Sequence, residues 1–193
     1  MPRAPGLFTI WQEWRARRAL DERARRYVAA LWTEPSKADV DWLAARATGG
    51  DVDHARWELR YARRALCLLA AQRDALDDRT ASVVARALGR ALAADPNVAP
   101  GKLKVAERQL NARLAAYREA IVNREGAGTG WHLGRALLRF AGRRDAVDPA
   151  DVAQAGDVAA RYLEEANEAL REQFGAAALP EDVAPSALGS GAR

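Results

Sequence analysis

Apolar residues recur at intervals of three and four along most of this chain, and nowhere do they alternate with polar ones for the length of a strand. In a helix, successive side chains turn by about 100°, so that spacing gathers apolar residues on one stripe. The pattern therefore predicts an all-α fold. In 102–122, Leu103, Ala106, Leu110, Leu114, Tyr117 and Ile121 share one face, and Glu, Arg, Gln and Asn fill the other. Such a helix lies on the surface and closes a core.

The segment 53–76 carries two apolar stripes, Ala55, Leu59, Ala62, Leu66 and Leu69 on one and Trp57, Tyr61, Ala65 and Leu68 on the other. Two stripes require neighbours on two sides, which puts this helix at the centre of the fold. Arg56, Arg60, Arg63 and Asp74 are expected to keep its remaining side wet. In 149–174, Val152, Ala155, Ala159, Tyr162, Leu163, Ala166, Leu170 and Phe174 form one face, and Glu165, Glu168 and Glu172 another.

Start and stop signals separate these segments. Ser36 with Asp39 three residues on predicts a capped helix from Lys37 to Ala47, ended by Gly49 and Gly50. Asp78 or Thr80 opens a short helix that Asp95-Pro96 breaks near Ala94, and Asp148-Pro149 opens the last one. The sum is an irregular bundle of six or seven helices over residues 20–175. Beyond Gly175 periodicity gives way to Ala, Pro, Gly and Ser, and 176–193 reads as a disordered tail.

The N-terminal segment 1–19 breaks the pattern. Leu20, Ala24, Tyr27 and Leu31 form one stripe, while Leu7, Ile10, Trp11 and Trp14 project about 120° away from it. Either the helix breaks near Arg15 to Arg18, or the two tryptophans face something other than this core.

Composition narrows the setting. A chain of 193 residues suits one domain with its own core. Its longest apolar run, Ala65 to Ala71, is far short of the roughly 20 residues that cross a bilayer, so no membrane span is expected. The single Cys67 admits no internal disulfide, which favours a reducing, cytoplasmic setting for a soluble protein. The net charge of +4 hides a division: ten acids stand against three arginines from Asp145 onward, −7, leaving +11 on residues 1–144. Arginine outnumbers lysine 27 to 3, a bias that GC-rich coding also produces.

Several groups of residues are candidates for chemistry. Trp11 and Trp14 beside Arg15, Arg17 and Arg18 match the residue types enriched at the centres of protein interfaces. His132, Arg135, Arg139 and Arg143 share one helix face without an acid among them, which suits an anion or nucleic acid, or else pairing with the acidic last helix. The glycines from Gly126 to Gly130 precede that helix, but no strand comes before them and no Lys-Ser or Lys-Thr pair follows, so neither phosphate-binding fingerprint is present. Asp51, His54 and Glu58 sit at spacings of three and four. A ferritin-like di-iron centre needs a Glu-x-x-His on each of two helices, and Thr129 stands where a carboxylate would precede His132. No metal or cofactor is expected. Cys67 follows Arg63 and Arg64, cations that would activate a thiol placed near them. The run Ala187-Leu188-Gly189-Ser190-Gly191 resembles, over five residues, the C-terminal cargo peptides that dock proteins inside encapsulin shells.

No motif assigns a catalytic residue. The pattern favours a non-enzymatic interaction or scaffold protein, binding a protein partner or itself through Trp11, Trp14, Arg15 and Arg18. The alternatives are nucleic-acid binding by the basic 1–144 portion, and a helical enzyme or metal protein built on His54, Glu58 and Cys67.

Overall fold

The structure, a computed structural model, describes residues 7–74, 78–123, 126, 128–143 and 147–175. The tail 176–193, including the segment 187–191, lies outside the described residues. Seven helices and no strands are found among the described residues: α1 (Leu7–Leu31), α2 (Lys37–Arg46), α3 (Val52–Asp74), α4 (Asp78–Ala93), α5 (Leu103–Val122), α6 (Thr129–Phe140) and α7 (Pro149–Phe174). The predicted caps are in place. Ser36 Oγ accepts from the Asp39 amide at 3.1 Å, and Asp148 accepts from the Ala150 amide at 2.9 Å.

Helix α3 packs against each of the other six. Ala55, Leu59, Ala62 and Leu66 are wholly buried on one stripe, and Tyr61, Ala65 and Leu68 are buried on the other. Burying a leucine of this kind contributes about 1.5–3 kcal/mol. The core continues into Val152, Ala155, Ala159 and Tyr162 of α7 and Tyr117 of α5.

The expected wet side of α3 is a correction. Arg60 is buried, because Glu34 in the α1–α2 connection folds over it and binds its guanidinium through both carboxylate oxygens. One turn on, Arg64 is buried against Asp95, from the turn after α4, and lies 3.8 Å from the Trp32 ring centre. Arg63 pairs with Glu165 of α7 and lies over the Tyr162 ring. Arg60, Arg63 and Arg64 therefore clamp neighbouring segments to α3, while Arg56, paired with Asp53 of α3 itself, and Asp74 stay partly exposed.

Helices α6 and α7 meet at glycines. A Cβ on Gly134 would lie 2.2 Å from the Val152 carbonyl oxygen, and one on Gly156 would lie 2.5 Å from that of Gly130. Only hydrogen at these positions lets the two backbones approach so closely.

Candidate functional site

Helix α1 runs unbroken through Arg15 to Arg18, which decides how its two stripes are accommodated. Ala24, Tyr27, Val28 and Leu31 are buried and Leu20 is half-buried, whereas residues 11–19 are exposed throughout. Trp11 and Trp14 remain 49% and 51% exposed, pointing away from the core stripe. Each carries a cation: Arg15 lies 4.2 Å from the Trp11 ring centre and Arg18 4.6 Å from that of Trp14. At exposed sites such stacking contributes about 0.5–1 kcal/mol, enough to orient the side chains without covering the indoles. The first turns of α1 thus form an arm with aromatic and basic groups on its surface.

Helix α7 provides a surface of opposite sign. Glu164, Glu168 and Glu172 are exposed at successive spacings of four, with no ion-pair partner among the described residues. Asp157 lies on the same stripe, as do Arg161, bound to Asp39 at 2.7 Å, and Arg171. The remaining α7 acids, Asp151 and Glu165, pair with Arg46 and Arg63.

Those pairings correct one reading of the α6 stripe, since Asp151 and Glu165 of α7 engage α2 and α3, and no acid of α7 pairs with Arg135, Arg139 or Arg143, which have no carboxylate partner among the described residues. All three are exposed, and His132 is half-buried beside them. They line a trough between α5 and α6 made of two adjoining hollows of about 270 and about 720 Å³, which share Arg135, Arg139 and Phe140. Among the described residues Glu119 is the one acid lining it. A glycine end-cap positions Arg143. Gly142, at φ +109°, donates to the Arg139 carbonyl, and the Arg143 amide donates to that of Leu138 at 2.9 Å, turning the chain so that Arg143 stays beside the helix end.

The remaining polar candidates serve the fold. Asp51 caps α3 through the His54 amide at 2.9 Å, and His54 Nε2 lies 3.4 Å from Glu58 Oε1. Glu58 itself is 3% exposed, with both carboxylate oxygens engaged by Arg113 of α5. A carboxylate committed to a buried guanidinium is a poor metal ligand. Cys67 faces the core, where burial pushes its thiol up to about 12 despite Arg63 and a hydrogen bond with Tyr27 that favour ionisation, so the arginines before it do not activate it. Periodicity missed Arg113. The buried face of α5 is Ala106, Leu110, Arg113, Tyr117 and Ala120, and an arginine three residues after Leu110 and four before Tyr117 was the available signal. No protein-family model, curated protein or solved structure matches this chain.

Proposed function

We propose that this chain is a non-enzymatic assembly protein whose α1 arm docks on the acidic face of α7 in a second copy. The observation that carries the proposal is the arm itself: two half-exposed tryptophans, each under an arginine, in a stretch of α1 whose residues 11–19 are all exposed. Tryptophan and arginine dominate the binding energy of protein interfaces, because they bury large areas with few rotatable bonds and desolvate well. Arg15 and Arg18 on the arm, beside an Arg17 that pairs with Glu13, complement Glu164, Glu168 and Glu172 on α7, and this complementarity supports a second copy as the occupant. The groups that a catalyst would use are engaged elsewhere, Glu58 by Arg113 and Asp95 by Arg64, with Cys67 buried. Because arm and acceptor are different surfaces, the contact is either reciprocal, in a two-fold dimer that exchanges arms, or head-to-tail, closing into a ring or extending as a filament.

Molar mass in solution tests this reading. The intact protein is expected to form oligomers that Trp11→Ala with Trp14→Ala dissociates and that Glu164→Lys with Glu168→Lys also dissociates. Adding Arg15→Glu and Arg18→Glu to the lysine variant should restore them. A protein that is monomeric up to high micromolar concentration overturns the proposal.

A further inference from the structure

Twelve of the described arginines are in ion pairs with carboxylates, so those that are not stand out by where they gather. Arg135, Arg139 and Arg143 follow one another at spacings of four on a single wall of the α5–α6 trough. A spacing of four along a helix is a rise of about 6 Å, which separates Arg135 from Arg139, and Arg143 follows the Gly142 turn at the helix end. Three like charges held together repel one another, and a helix C-terminus relieves that repulsion only for the last of them.

We infer that the trough binds the backbone of a single-stranded nucleic acid. A ladder of guanidinium groups fits a ligand whose charges also recur along a line, and the fork of arginine matches phosphate oxygens two at a time. The trough lies between two packed helices, whose axes are about 8–10 Å apart. That hollow admits one strand, whereas a duplex needs a protruding element to enter its grooves. Phe140, half-buried with Arg113 over its ring at 4.4 Å from the centre, adds apolar surface to the wall beside the arginines. Glu119 faces the arginines from α5 and confines the phosphates to the α6 side. The inference is independent of the α1 arm, which lies on other residues.

Fluorescence anisotropy of a labelled oligo(dT) of about a dozen nucleotides with the full chain is the test. Three phosphate contacts on a single strand give a slope of log affinity against log salt of about −2, so affinity should fall about 20-fold between about 50 and about 200 mM salt. Replacing Arg135 and Arg139 by alanine should weaken binding at least 10-fold and reduce the slope to about −0.7, with helical content unchanged because both side chains are exposed. The control is Arg79→Ala with Arg90→Ala, in the separate basic groove between α1 and α4, which should change affinity less than twofold. Absence of binding at low salt, or loss of binding in the control variant but not in the trough variant, overturns the proposal. So does equal, Arg135-dependent affinity for the duplex or for vesicles containing phosphatidylserine. If the trough variant instead dissociates oligomers and binds the oligonucleotide as before, the trough belongs to the acidic α7 of a second copy.

Discussion

Arg64 and Asp95 form a 2.6 Å ion pair in which both side chains are buried, 6% and 1% exposed, although 31 residues separate them. Asp95 also accepts from the amide and the side chain of Asn97, both at 2.9 Å. Burial raises its carboxyl pKa, but those hydrogen bonds and the Arg64 charge outweigh it and hold the group below its ordinary 3.8. Burial in turn lowers the pKa of Arg64, and Asp95 draws it back up.

Asp95→Asn leaves the Arg64 guanidinium buried without its counter-charge, a loss of about 3–5 kcal/mol at neutral pH by urea unfolding. A carboxylate with a depressed folded-state pKa stabilises fully above its ordinary value and loses that contribution as pH falls through the depressed one. The gap between wild type and Asp95→Asn should therefore be constant from neutral pH down to about 5 and close below pH 3.8. Arg64→Met combined with Asp95→Asn should cost less than the sum of the two single changes, since the buried charge and its partner leave together. A gap that persists undiminished at pH 2 would show that Asp95 acts through shape alone.

The α6–α7 contact predicts opposite effects for the same substitution at different glycines. Gly134→Ala or Gly156→Ala places a methyl into backbone atoms and forces the helices apart, which overpacking data put at about 1–3 kcal/mol or more of lost stability. Gly89→Ala in α4 meets open space, so only helix propensity acts there, and it should stabilise by about 0.5–1 kcal/mol. Thermal unfolding of the three variants checks the contrast, and a destabilising Gly89→Ala together with a neutral Gly134→Ala refutes it.

How much of this was legible depends on whether a feature is local. Helix positions were, because periodicity and caps are properties of adjacent residues: Ser36 and Asp148 cap as their spacing implies, and the two stripes of α3 are both buried. The division of α1 was legible for the same reason, since a straight helix cannot turn Trp11 and Tyr27 to one side. Spacing shows which residues share a face, but not what arrives opposite them. Arg60 and Arg63 read as solvated because Glu34 and Glu165 come from other parts of the chain. The trough was half legible: its arginines formed a visible stripe, whereas the α5 wall and the pairing of Asp151 and Glu165 of α7 with α2 and α3 exist only in three dimensions. Gly130, Gly134 and Gly156 carried a signal in the four-residue spacing of the first two, but their partner helix did not.

Cys67 should behave as an inert core residue. With its thiol pushed up to about 12, the thiolate at pH 8 is on the order of one part in ten thousand, and no surface leads to the sulfur. Labelling by a thiol reagent should follow global unfolding, accelerating with urea in step with the loss of helix signal. Cys67→Ser should be destabilising by about 1–3 kcal/mol, because it puts a hydroxyl where a small hydrophobe packs. Rapid labelling of the native protein would mean that α3 opens locally.

Trp11 and Trp14 report on both stability and assembly, and the two can be separated. Neither packs on the core, so Trp11→Phe with Trp14→Phe should leave the unfolding midpoint of the monomer within about 0.5 kcal/mol of wild type. At nanomolar concentration the wild type should emit a red-shifted, readily quenched component that this variant lacks, because the other described tryptophans, Trp32, Trp42, Trp57 and Trp131, are half-buried. As concentration rises and arms dock, that component should shift to the blue and resist quenching in step with the increase in molar mass. Emission that is already blue-shifted and quencher-resistant in the monomer would place the indoles inside their own chain and remove the observation on which the assembly proposal rests.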